Sequence, residues 1–160
     1  MYFYRVTLSA LMLACSFNGG AESVWDKAPP FSAEPVEITV YRSPSCGCCG
    51  IWLEHIQKHN FKVTDIKTED VNSIKQKVGV SPQLASCHTA LVDGYVIEGH
   101  VPAADIRKLL TEKPAVAGLS VPGMPQGAPG MEMGGRKEPF SVISFDKDGN
   151  QQHYTDYLFY

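Results

Sequence analysis

Between residues 36 and 113 the hydrophobic pattern changes period repeatedly, and that alternation restricts the chain to a mixed α/β fold. Val36-Glu37-Ile38-Thr39-Val40-Tyr41 alternates and is β-branched, as a strand should be. Ser43-Pro44-Ser45 interrupts it. Ile51, Trp52, His55 and Ile56 then recur at helical spacing within residues 47–59, with Asn60 as the stop. Residues 61–66 alternate again as a second strand. Val71, Ile74 and Val78 share one face of a short helix that Asp70 can cap. After Gly79-Val80-Ser81-Pro82, strands at 89–92 and 95–98 flank Asp93-Gly94, a dipeptide suited to a tight hairpin. Pro102 opens a helix through residue 113, with Ile106, Leu109 and Leu110 facing inward. The predicted order is β-α-β-α-β-β-α, about 80 residues in all, the size of one domain.

Composition shifts after Pro114. Residues 121–135 hold several Pro and Gly together with Met124, Met131 and Met133, and no regular element fits them. Strands at 140–145 and 152–157 around Asp148-Gly149 predict a terminal hairpin that pins this loop. At the other end, Arg5 precedes an apolar run over residues 6–14. That run is too short to span about 30 Å of hydrocarbon and reads as an export signal. Gly19-Gly20-Ala21 would release a soluble chain from near Glu22, whereas Met12-Leu13-Ala14-Cys15 offers a lipoprotein site with Cys15 as the anchor. The expected organisation is therefore a signal at 1–21, a linker at 22–35, a domain at 36–113 and an extension at 114–160. The mature chain is expected to lack a transmembrane span and to work as a monomer. A net charge of −3 with scattered Lys and Arg, Lys75 among them, reads as a solvated surface and gives no reason to expect nucleic acid.

Export makes the cysteines informative. With Cys15 assigned to the signal, Cys46, Cys48, Cys49 and Cys87 remain for the folded part. Three sulfurs this close make a poor structural framework, because a bridge between near neighbours closes almost no loop. Clustered thiols point instead to redox or metal chemistry. The cluster falls at the junction of the first strand and first helix, an arrangement that resembles the thioredoxin fold, and Cys46 and Cys49 keep C-x-x-C spacing. At a helix N-terminus the unpaired amides favour thiolate, so a lowered pKa is expected for Cys46. Cys48 is the departure from that pattern: thiol exchange needs only two sulfurs, while a third supplies another soft ligand. Where the thioredoxin fold carries a cis-proline, this chain has Ala85-Ser86-Cys87-His88-Thr89. A sulfur and an imidazole in that place would open the site to metal.

Several longer motifs carry a closer resemblance. They are Tyr41-Arg42-Ser43-Pro44-Ser45-Cys46-Gly47-Cys48-Cys49-Gly50, Leu84-Ala85-Ser86-Cys87-His88-Thr89-Ala90 and Gly94-Tyr95-Val96-Ile97-Glu98-Gly99-His100-Val101-Pro102. With Val121-Pro122-Gly123-Met124-Pro125 and Gly130-Met131-Glu132-Met133-Gly134, the chain resembles the CopG-type periplasmic copper-resistance family from about residue 36 to 157. The resemblance implies a thioredoxin-like domain whose C-terminal extension helps bind metal. It also implies a cysteine-bridged site for several copper ions and a role in Cu(I)/Cu(II) interconversion.

The expected metal ligands are Cys46, Cys48, Cys49, Cys87, His100, Met124, Met131 and Met133, with His88 a weaker candidate. Thioethers suit Cu(I) and are poor zinc ligands, so copper rests on the methionines and on the resemblance rather than on cysteine spacing. His55 and His59 are expected at the surface of the first helix, and Trp52 and Tyr95 in the core. The leading function is copper binding in resistance, as a copper-dependent oxidoreductase working with copper efflux or redox partner proteins. A thiol–disulfide oxidoreductase, with Cys46 attacking and Cys49 resolving, and a passive copper chaperone or buffer are the alternatives.

Overall fold

A computed structural model describes residues 23–27 and 34–160. The export and lipidation sites of residues 1–21, Cys15 included, lie outside the described residues, as do linker residues 28–33. One sheet of seven strands runs in the order β2-β1-β3-β4-β5-β6-β7. Its strands are β1 (Val36–Arg42), β2 (Phe61–Lys67), β3 (His88–Val92), β4 (Tyr95–Glu98), β5 (Gly118–Ser120), β6 (Phe140–Phe145) and β7 (Gln151–Tyr157). Helices α1 (Gly47–Lys58), α2 (Val71–Lys77) and α3 (Ala103–Glu112) complete the fold.

Local chemistry ends the elements where expected. Asn60 stops α1 in the left-handed region at φ 60°. Asp70 caps α2 by accepting from the Ser73 amide at 3.3 Å. Asp93 and Gly94 both take positive φ, as the two-residue hairpin requires. Strand β5 is the addition, since three residues are too few to show a period. It passes so close to β4 that a Cβ on Gly118 would collide with the Val96 carbonyl oxygen. Through β5 the terminal hairpin continues the same sheet.

Strand alternation separates two apolar faces. Ile38, Val40, Ile97 and Leu119 pack with Trp52 and Ile56 of α1 and Ile106 and Leu109 of α3. Val96 and Phe145 point the other way, with Val80 and Leu84. Tyr95 is half-buried against the first core. The short helix Val24–Asp26 docks too: Trp25 Nε1 donates to the Gly127 carbonyl at 2.8 Å, and its ring packs among Phe140, Tyr157 and Tyr160.

The pairing directions place the site. β1 runs parallel to β2, β3 antiparallel to β1, β4 antiparallel to β3, β5 parallel to β4 and β6 antiparallel to β5. The end of β1, the start of β3, the ends of β4 and β5 and the start of β6 therefore share one end of the sheet. Every cysteine of the folded part, His100 and the methionine loop are attached there.

His55 and His59 depart from expectation: both are buried. Packing of α1 against α3 encloses them, and His55 Nε2 accepts the Ala103 amide of α3 at 3.1 Å. Burial, with His59 alongside, lowers the His55 pKa from 6.5 to about 3. Only the neutral ring fits, so its contribution to stability is complete above pH 6.5 and is lost as pH falls from 6.5 toward 3. The loss amounts to about 1.4 kcal/mol per pH unit across that window. Urea unfolding of the copper-free protein at pH 7.5 and 5.5 should show this decrease. His55→Gln should flatten the slope by about one proton's worth. An unchanged slope in the variant would mean that His55 is not held neutral.

Candidate metal centre

Cys46 is the N-cap of α1, and Cys48 and Cys49 lie in the first turn. Arg42, at the end of β1, holds this loop. Its guanidinium spans both Asp65 carboxylate oxygens at 2.8 Å and donates from Nη1 to the Cys46 carbonyl at 3.2 Å. Such a bidentate, charge-assisted anchor fixes direction as well as distance.

The sulfurs form a continuous chain. Cys46 and Cys49 are joined by a disulfide, while Cys48 and Cys87 are free thiols. Cys48 Sγ stands 3.6 Å from Cys46 Sγ, and Cys49 Sγ 3.5 Å from Cys87 Sγ. The thiolate expected of Cys46 belongs to the reduced protein; as half of a disulfide it carries no proton to lose. Burial, with Cys48 beside it, pushes the Cys87 thiol up to about 12. Cys87 is therefore a protonated thiol at neutral pH unless a cation displaces the proton.

Two imidazoles complete the cluster. His100 is fully buried, and its Nδ1 donates to the Pro129 carbonyl at 2.7 Å. That bond leaves the Nε2 lone pair free to face Cys87 Sγ at 3.1 Å, the tautomer a metal ligand needs. His88 Nδ1 lies 3.3 Å from the same sulfur, and its buried Nε2 has no hydrogen-bond partner. Its ring rests on Trp52, with centroids 4.3 Å apart. Burial holds both histidines below their usual pKa, His88 well below, where the neighbouring His100 ring, which would repel it if both took up protons, and the Lys75 charge add to the effect. Both rings are neutral at pH 7. Among the described residues, the sulfurs of Cys46, Cys48, Cys49 and Cys87 lie within 4.8 Å of one another, and so do the donor atoms of Cys87, His88 and His100. Cys87 belongs to both groups. Soft sulfur with neutral imidazole suits copper or zinc rather than magnesium or calcium.

The extension walls this site. Gly130, at φ +81°, lies on the first turn of α1, where a Cβ would stand 2.8 Å from the Trp52 amide nitrogen and 3.0 Å from the Cys48 carbonyl oxygen. Ser86 Oγ donates to the Gly123 carbonyl, and the Gly123 amide donates to Ala85 O at 3.1 Å. Of the methionines, Met131 packs against the core, whereas Met124 and Met133 are exposed, at 55% and 64%.

Sequence patterning missed the support beneath Cys87. Lys75 is buried rather than solvated, because its Nζ donates to Glu98 Oε1 at 2.5 Å and to Thr89 Oγ1 at 3.0 Å. Glu98, fully buried, also accepts the Ser86 amide at 2.6 Å and the Thr89 hydroxyl at 2.7 Å. The available signal was a carboxylate at the end of an otherwise apolar strand, which needs a cation only once the fold buries it.

A family described as a protein of unknown function, DUF411, matches residues 84–131, the stretch from the Cys87 loop to Met131. No curated protein matches. Two solved structures, forms 1 and 2 of a copper resistance protein copG, are 44% identical in sequence with a TM-score of 0.74. They cover 78% of this chain, and this chain covers 99% of theirs. With that identity over almost the full length of the solved chains, and Cys46, Cys48 and Cys49 clustered as described, this chain belongs to the CopG copper-resistance family.

Proposed function

We propose that the protein is a periplasmic copper-binding protein that holds copper on clustered cysteine sulfur and interconverts Cu(I) and Cu(II) in copper resistance. The observation that carries this reading is the meeting of Cys46, Cys48, Cys49 and Cys87 with His88 and His100 at one end of the sheet. His100 supports it, since its Nδ1 bond to the Pro129 carbonyl leaves the Nε2 lone pair aimed at Cys87 Sγ, 3.1 Å away. A thioredoxin-like core is supported by the β2-β1-β3-β4 order with β1 and β2 parallel and β3 and β4 each antiparallel to its neighbour. In this reading residues 114–160 are an extension that encloses the site, and Met124, Met131 and Met133 are its thioether donors. Export by the N-terminal signal places the chain in the periplasm. No helix among the described residues is long and apolar enough to cross a membrane.

Anaerobic Cu(I) titration of the reduced protein with elemental analysis tests this. We expect tight binding whose stoichiometry falls in Cys48→Ser; an unchanged stoichiometry would remove Cys48 from the site. The Cys46–Cys49 disulfide favours a second reading, thiol–disulfide exchange. That reading gains if Cys46→Ser abolishes insulin reduction while Cys48→Ser leaves it intact.

A further inference from the structure

We infer that Cys46 and Cys49 are a two-electron store that reduces two Cu(II) ions, while Cys87, His88 and His100 form a separate ligand set that keeps one Cu(I) product. The inference rests on the copper-binding reading and gives it an electron source within the chain.

The two donor groups have different fates. Cys46 and Cys49, one helical turn apart, are already bonded to each other. Oxidation withdraws both from the ligand pool and leaves Cys48 and Cys87 as thiols. The second group loses nothing: Cys87 Sγ stays between His100 Nε2 at 3.1 Å and His88 Nδ1 at 3.3 Å. One thiolate and two neutral imidazoles carry a single negative charge, matched by one Cu(I), a soft ion suited to this set. Cys49 Sγ lies 3.5 Å from Cys87 Sγ, so the electron source and the retained ion share one contact.

The reaction balances within the site. The Cys46 and Cys49 thiols lose two protons and two electrons as the S–S bond forms, and two Cu(II) ions each gain one electron to become Cu(I). The protons pass to solvent. One Cu(I) stays on Cys87, His88 and His100, displacing the Cys87 thiol proton to solvent as well. The other is left with Cys48 as its unshared sulfur and is released to an external acceptor. A further turnover requires an external dithiol. Cys49 is fully buried and Cys46 partly exposed, so that dithiol attacks Cys46 Sγ and expels the Cys49 thiolate; its second sulfur then closes its own disulfide and frees Cys46.

The test uses the full chain, reduced, freed of reductant without air and given two equivalents of Cu(II). The electron paramagnetic resonance of both equivalents should disappear as a Cys46–Cys49 disulfide, located by peptide mass mapping, forms. The oxidised protein, given Cu(I) without air, should still retain one ion per chain. A persisting Cu(II) signal from protein-bound copper, or a disulfide mapped to another pair, would overturn the electron store. Failure of the oxidised protein to retain Cu(I), when the reduced protein does, would overturn the separate ligand set. Copper retained by neither form would overturn the copper-binding reading itself.

Discussion

Cys87→Ser is expected to weaken Cu(I) binding by at least about 100-fold, because groups that only orient a ligand already account for 10–100-fold. Cys87 alone belongs both to the four-sulfur group and to the set with His88 and His100. Its removal leaves neither group intact, whereas loss of Cys48 leaves the imidazole set complete. The substitution should barely disturb folding. Serine occupies nearly the same volume, and its hydroxyl can donate to His100 Nε2, so the change in stability should stay within about 1 kcal/mol. Competition against a chromophoric Cu(I) chelator, with urea unfolding of the copper-free protein beside it, measures both quantities. An affinity within tenfold of the unmodified protein would remove Cys87 from the ligand set. A matching loss of stability would instead make it a packing residue.

The elements most legible in the sequence are those decided within a few residues. Asp70 needs only the amide three positions ahead, and Asp93-Gly94 needs only its own backbone freedom. The cysteine spacing likewise announced a thiol cluster, the likeness of the element order to the thioredoxin fold drew Cys87 to it, and the closer resemblance drew in His100. What stayed hidden depends on contacts made far along the chain. Lys75 reads as a surface residue until Glu98, 23 residues on, meets it in the interior. His55 reads as a solvated histidine until the start of α3, 48 residues away, closes over it. The methionine loop has no period, so only its contacts fix it: Pro129 on His100 and Gly130 on the first turn of α1. The spacing of Cys46 and Cys49 also suits both a disulfide and a pair of thiolate ligands, and therefore could not choose between them.

Lys75→Met is expected to destabilise the copper-free protein by about 3–5 kcal/mol, the range for removing one partner of a buried ion pair. The side chains of Lys75 and Glu98 are 8% and 0% exposed, so water cannot replace the ammonium. Glu98 would keep the Ser86 amide and the Thr89 hydroxyl, both neutral donors, against a full buried charge. Removing both partners, as Lys75→Met with Glu98→Leu, should cost less than Lys75→Met alone, since no charge then stays buried. It should not be neutral, because the Ser86 amide loses its acceptor, at about 1–3 kcal/mol. Urea unfolding of the two variants and of Glu98→Leu closes the cycle. A Lys75→Met cost below about 1 kcal/mol would mean that the pair is hydrated in solution. The interaction also bears on metal binding, because Ser86 precedes Cys87 and the Lys75 charge helps keep the His88 ring unprotonated. Lys75→Met should therefore loosen the Cys87 loop. Its Cu(I) affinity, read by chelator competition under conditions where the variant is folded, should fall below that of the unmodified protein, whereas an unchanged affinity would confine the pair to a role in stability.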